Sequence, residues 1–196
     1  MAADDALPPL PAALDALRNH VLTHSVRRGT FTLKSGATSS WFLDTKQTAC
    51  RPDGILLVAD ALLAALPDVL PDGADAIGGL TMGADPMAFG VAAVAATRGI
   101  PLRSFSVRKE SKDHGVTGRI AGALQRGDRV IVTEDTTTRG ISLMEAVDAV
   151  RAFGADPVLV TVIVDRGGTC AAMCESAGVA YLPLLTAPHL GFDYGT

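Results

Sequence analysis

From residue 75 onward, short apolar runs alternate with helix-length segments, and this alternation limits the possible folds more than any other feature of the chain. DAIGGL (75–80) reads as a short strand, 84–98 as a helix ended near Gly99, and LRSFSV (102–107) as a strand. RVIVTE (129–134) is a strand, 142–153 a helix, and PVLVTVIVD (157–165) another strand. VIVTE is β-branched and apolar on both sides, the pattern of a strand buried on both faces. Strand–helix–strand repetition predicts an α/β fold, a mostly parallel central sheet flanked by helices. Upstream, 10–25 reads as a helix, 30–44 as strand or loop, and 53–66 as an apolar helix stopped near Pro67. RKESKDHGVTGRIAG (108–122) is polar and punctuated by glycine, so it reads as a loop or an extended flap.

A length of 196 residues suits one domain, 1–196, with a core of ordinary size. Hydrophobic residues make up 48% and charged residues 19%, which excludes a disordered chain. A net charge of −4 and a pI of about 5.5 argue against a general nucleic-acid binder, although a local basic cluster can still hold a small anion. No membrane span is expected, because the most apolar region, ILLVADALLAALPDVL, is broken by Asp60, Pro67 and Asp68. The N-terminus lacks a charged-then-apolar signal pattern. Cys50, Cys170 and Cys174 match no zinc spacing and read as free thiols in a reducing cytoplasm. His20 and His24 stand four apart on the first helix; that spacing could bind a metal, but a surface or packing role is the expectation, and no metal ligand is assigned.

The chemistry concentrates in VIVTEDTTTRGISLMEAV, residues 130–147. Ser142 and Glu145 have capping-box spacing, which makes Ser142 the expected helix N-cap, and Gly154 a plausible C-cap. The loop between joins a strand's C-terminal end to a helix's N-terminus, where open α/β sheets bind ligands. Backbone N–H groups, the helix dipole and threonine hydroxyls there can cradle a phosphate. The loop is neither a Walker A sequence nor a dinucleotide G-x-G-x-x-G. Glu134 and Asp135 repel phosphate, so they should face another part of the ligand. An ionised carboxylate only accepts hydrogen bonds, and a ribose diol donates them. The pattern therefore suits a ribose 5-phosphate; the plain alternative is an acidic strand end before an ordinary turn.

Residues 130–142 resemble the phosphoribosyl-pyrophosphate loop of type I phosphoribosyltransferases. VRKESKDHG (107–115) resembles the mobile catalytic loop of the orotate phosphoribosyltransferases, and FTLKSG (31–36) with SWFLD their orotate-binding segment. GGLTMGADP (78–86) and VDR (164–166) fit in the same order. The resemblance implies the type I fold, with a small hood from about residues 1–45 and the C-terminal segment. It implies phosphoribosyl transfer to orotate, in pyrimidine synthesis, by a cytoplasmic homodimer that shares its catalytic loop across the interface. Mg²⁺ would be held mainly by the substrate's pyrophosphate and ribose. Lys112, His114 and Lys109 would be the catalytic cations. Lys34, Arg108, Glu134, Asp135, Thr136, Thr137, Thr138, Arg139, Gly140, Ile141 and Ser142 would join them around the sugar donor. Lys34, Phe42, Leu43, Thr138 and Arg166 would meet orotate. Of only four lysines, Lys34, Lys109 and Lys112 fall in these motifs and Lys46 does not.

Two departures stand out. Met82 and Gly83 replace an aromatic–lysine pair common in orotate enzymes, and Arg139 occupies a position more often small. Asp85 reads as the cap of the helix at 86–98, with Pro86 at its first position. A purine phosphoribosyltransferase is disfavoured by the KSG and RKESKDHG segments. A non-catalytic phosphoribosyl-pyrophosphate sensor is disfavoured by the acidic balance and the intact cationic loop.

Overall fold

The computed structural model describes residues 7–32, 38–112 and 118–195. Helix α1 (Ala12–His24) leads into a two-stranded antiparallel sheet, β1 (Val26–Thr32) and β2 (Thr38–Leu43). Short α2 (Lys46–Ala49) and long α3 (Pro52–Val69) follow. Then come β3 (Ala76–Leu80), α4 (Asp85–Thr97), β4 (Arg103–Lys112), β5 (Gly118–Gly122) and β6 (Arg129–Thr137). The chain continues through α5 (Ile141–Phe153), β7 (Asp156–Asp165), α6 (Cys170–Ser176) and β8 (Ala180–Thr186).

The main sheet has the order β5-β4-β3-β6-β7-β8, and every pairing but β4–β5 is parallel. Alternation along the strands builds two cores. Ile131, on β6, faces α3 and α4 in one cluster; its neighbours Val130 and Val132 face α5 and α6 in the other. The predicted α/β sheet with helices on both faces is therefore present. From β3 the chain crosses to β4 on one side and later returns to β6 on the other, so the strand order reverses between β3 and β6. The crevice beyond their C-terminal ends is the ligand position of such a sheet.

Helix α3 does not stop at Pro67 but runs to Val69. A proline has a helical φ and removes only one hydrogen bond. Leu66 and Val69 pack against the core on either side of it, and Leu70 N–H still donates to the Leu66 carbonyl at 2.7 Å. Of the loop and the extended flap expected over 108–122, the described residues form the flap: β4 continues to Lys112 and pairs antiparallel with β5. Its polar residues conceal the strand because this is the sheet edge. The register shifts between Val107 and Lys112, and residues 113–117 of the flap lie outside the described residues.

The small β1–β2 sheet is tied to the C-terminal segment. Trp41 is fully buried and stacks on Phe192 with ring centroids 4.1 Å apart, and Arg28 lies over the Phe192 ring.

Candidate active site

Strand β6 extends three residues beyond its expected end, through Asp135, Thr136 and Thr137. Glu134 and Asp135 therefore sit on regular strand, and a carboxylate oxygen of each comes close to the Gly83 turn. Thr136 donates to the Val164 carbonyl at 3.1 Å, and Gly140 N–H donates to Thr137 Oγ1 at 2.9 Å, which folds the loop back on the strand end. Glu134 and residues 136–142 line an open recess, so Thr136, Thr137, Thr138, Arg139, Gly140, Ile141 and Ser142 come together as the sequence suggested.

Ser142 is not the helix N-cap. The cap is Gly140, at φ +74°, and α5 begins at Ile141. A Cβ at Gly140 would lie 3.0 Å from Cys170 Sγ and 3.1 Å from Met173 Sδ, so glycine suits the position twice over. The left-handed turn enters the helix two residues earlier than the S-x-x-E spacing suggests. Glu145 is instead paired with Arg119 of β5. No side chain caps α5. Its first-turn N–H groups border the recess and carry the positive end of the helix dipole, the groups that receive a phosphate.

Asp135 is buried, and its Oδ2 accepts from Thr45 Oγ1 at 2.9 Å and from Lys46 Nζ at 2.6 Å. These two residues were absent from the sequence-derived site. Lys46 is the one lysine left outside the motifs, and its scarcity was the only signal. Burial opposes its charge, but the Asp135 hydrogen bond and charge outweigh that and raise its pKa. Gly83 explains part of the missing aromatic–lysine pair: a Cβ there would stand 2.2 Å from Glu134 Oε1. The turn after β3 thus passes directly over the acids.

Glu134 is held near a pKa of about 7, first by burial and then by the Asp135 charge, with Lys46 and Lys109 pulling the other way. The folded chain therefore keeps a proton that the unfolded chain loses above its ordinary value of 4.5. Stability from this group is present below that value and declines as pH rises through about 7. The ionised carboxylate only accepts hydrogen bonds, whereas the protonated form also donates one.

Asp85 is not the cap of α4. Ala84 is the N-cap, Asp85 is the first helical residue and Pro86 the second. The Asp85 carboxylate instead accepts from Thr81 Oγ1 at 2.7 Å and Ser106 Oγ at 2.6 Å, fixing the β3–α4 turn to β4.

Arg166 follows β7 and reaches the small sheet. Its guanidinium lies 4.4 Å over the Trp41 ring and donates to Ser39 Oγ at 3.0 Å. Asp165 shapes this turn, since its Oδ1 accepts from both Gly167 and Gly168 N–H at 2.9 Å. Phe42 is exposed beside Phe31, whereas the Leu43 side chain is buried in the core, so only the Leu43 backbone remains available to a ligand. Arg108 donates to the Gly118 carbonyl across the flap, and Lys109 is exposed. Lys112 ends β4 opposite Gly118. Lys34 and His114 lie outside the described residues.

Gly167 is a tight point between the β6–α5 loop and the Arg166 turn. A Cβ there would lie 1.6 Å from the Thr138 carbonyl oxygen. Gly167→Ala must push two backbones apart, and we expect it to cost about 3 kcal/mol in denaturant unfolding. An unchanged midpoint would contradict this packing.

A mostly parallel sheet with an acid pair, and a helix N-terminus with no side-chain cap among the described residues, at its switch point fits the phosphoribosyltransferase architecture that the sequence resemblance implies. No family model matches the chain. An orotate phosphoribosyltransferase of Streptomyces coelicolor is 40% identical over 178 residues, covering 90% of this chain and 96% of that one. A solved Mycobacterium tuberculosis orotate phosphoribosyltransferase superposes with a TM-score of 0.80 at 34% identity, covering 93% of this chain and 100% of that one. The same enzyme in complex with 5-phospho-α-D-ribosyl 1-diphosphate gives a TM-score of 0.77 at 31% identity, with the same coverage. The chain belongs to the orotate phosphoribosyltransferase family. Among the described residues, no helix is long and apolar enough to cross a membrane.

Proposed function

We propose that the protein transfers the 5-phosphoribosyl group of phosphoribosyl pyrophosphate to N1 of orotate. The products are orotidine 5-phosphate and pyrophosphate, in a step of pyrimidine (UMP) synthesis. The observation that carries this reading is the joining of two acids and an uncapped helix N-terminus in one strand–turn–helix unit at the switch point. The loop of Thr136 to Ser142 receives the 5-phosphate through backbone N–H groups, with Arg139 at its rim. Glu134 and Asp135 accept from the ribose hydroxyls. Arg166, braced on Trp41, answers the orotate carboxylate, with Phe42, Thr138 and the Leu43 backbone beside the ring.

As the bond from ribose C1 to pyrophosphate breaks, negative charge grows on the leaving group while the sugar becomes oxocarbenium-like. The flap cations Arg108, Lys109, Lys112 and His114, with Lys34, are the groups that meet that charge, and closure of the flap excludes water that would hydrolyse the donor. Hard carboxylate oxygens at Glu134 and Asp135 suit Mg²⁺ carried in on the donor's ribose and pyrophosphate. Mg²⁺ bound there would neutralise part of the pyrophosphate charge. The β4–β5 hairpin, at the sheet edge, is the segment that would reach a second subunit in a homodimer. We read the chain as one cytoplasmic domain, with its hood built from the β1–β2 region and the C-terminal segment.

The acid assignment predicts a pH-dependent donor affinity. Between pH 8 and pH 6 the ionised fraction of a carboxyl with pKa about 7 falls about tenfold. Calorimetric titration with phosphoribosyl pyrophosphate and Mg²⁺ should show weaker binding by about that factor at pH 6, beyond what the ligand's own phosphates contribute. Glu134→Gln should bind weakly and lose the extra pH dependence. An identical profile in wild type and variant would remove Glu134 from the ribose.

A further inference from the structure

A second polar cluster lies on the outer side of the fold, where α1 meets the start of α3. We propose that His20, His24 and Asp53 form a site for a divalent transition-metal cation of the zinc class, apart from the Mg²⁺ that accompanies the substrate. The histidines stand one helical turn apart on α1, with ring centroids 4.4 Å from each other. Asp53 comes from the first turn of α3, twenty-nine positions beyond His24, so sequence spacing alone did not bring it into view. One ligand atom from each of the three lies within 4.8 Å of the other two.

Three observations point to a cation rather than to ordinary packing. First, among the described residues His20 Nε2 is buried with no acceptor in hydrogen-bond geometry, its nearest being Asp53, and the His20 side chain is only 8% exposed. Asp53 Oδ2 stands 3.4 Å from it without hydrogen-bond geometry. That separation matches the edge of a tetrahedron built on bonds of about 2.1 Å. Second, the other ring nitrogen is already held: His20 Nδ1 lies 3.1 Å from Thr48 Oγ1, and Thr48 Oγ1 lies 2.7 Å from Ser25 Oγ. If Thr48 donates to Ser25, it accepts from Nδ1–H, and the Nε2 lone pair is left on the side of Asp53 Oδ2. Outer hydroxyls that fix a histidine tautomer in this way are a regular part of metal sites. Third, Gly54 lets both Thr48 and the ring come close, since a Cβ there would stand 2.2 Å from the Thr48 carbonyl oxygen and 2.8 Å from His20 Cε1.

Two imidazoles and one carboxylate suit Zn²⁺, with water completing four-coordination, and they are a poor set for Mg²⁺ or Ca²⁺. A cation there would tie α1 to α3. It would also brace Thr48 of α2, the short helix that carries Lys46 toward Asp135.

The test is Co²⁺ titration of untagged full-length protein, followed by visible absorption, and Zn²⁺ competition for the same signal. The expected result is one equivalent bound with the intense bands of four-coordinate Co²⁺, displaced by Zn²⁺ and untouched by excess Mg²⁺. His24→Ala, at a half-buried position, should weaken binding by about a hundredfold, with Asp53→Asn at an exposed position weakening it by about tenfold. Far-ultraviolet circular dichroism confirms that each variant is folded. Absence of a four-coordinate spectrum in the wild type overturns the proposal. So does a spectrum that persists in both folded variants, which would place the cation on Cys50 or elsewhere.

Discussion

Asp135→Asn is expected to lower kcat/KM for phosphoribosyl pyrophosphate by about a hundredfold to a thousandfold while the fold stays nearly as stable. Asp135 is 3% exposed, and one of its oxygens already serves Thr45 and Lys46. Among the described residues the other oxygen has no hydrogen-bond partner, so it can accept from a ribose hydroxyl, with its charge and direction set before the ligand arrives. Asparagine keeps the shape but replaces one acceptor with a donor and removes the counter-ion of Lys46. Losing one charge-assisted bond to the sugar and misaligning its neighbour together amount to about 3–4 kcal/mol in the transition-state complex. The unfolding cost is smaller, about 1 kcal/mol, because the Lys46 side chain is 42% exposed and regains water. Steady-state kinetics beside urea unfolding separate the two quantities. A large stability loss with near-normal kcat/KM would make Asp135 a structural acid and leave the ribose to Glu134.

Lys112→Ala carries the second large effect. It should reduce kcat by about a hundredfold to a thousandfold, change KM by only a few-fold and leave the unfolding midpoint in place. The split follows from where the charge appears. Pyrophosphate gains negative charge as the C1–O bond breaks, so a cation that meets it there stabilises the transition state more than the bound substrate. The backbone of Lys112 pairs with Gly118 at the end of β4 and does not depend on the side chain. Turnover unaffected by the substitution would keep the substrate and sink the assignment of the flap. A raised KM with unchanged kcat would reduce Lys112 to a binding contact.

Strands β3, β6 and β7, the apolar start of β4 and helices α4 and α5 were legible because each carries an apolar run bounded by glycine, proline or a polar turn, whereas α6 and β8 went unread. The edge hairpin was not legible, because β4 past Val107 reads RKESK, polar residues that an edge strand tolerates and a buried strand does not. Helix α3 outran Pro67 because flanking Leu66 and Val69 pack on the core, and packing overrode a local breaker. The β6–α5 loop was readable as a contiguous motif. Its helix start was misplaced at Ser142 because a left-handed glycine competes with a capping serine and leaves no distinct trace in spacing. Thr45, Lys46 and Trp41 escaped the sequence reading for a different reason. They act across long stretches of chain, as when Lys46 meets Asp135 eighty-nine positions away. Contacts of that kind are made by the parallel crossovers and have no local pattern. Asp53 reached His20 in the same way.

The most direct test is the ultraviolet absorbance of orotate after mixing with phosphoribosyl pyrophosphate, Mg²⁺ and the wild-type protein. The account predicts a steady loss of the orotate band, with one pyrophosphate released for each orotate consumed. An unchanged orotate band, with pyrophosphate released only when a purine base replaces orotate, would contradict it.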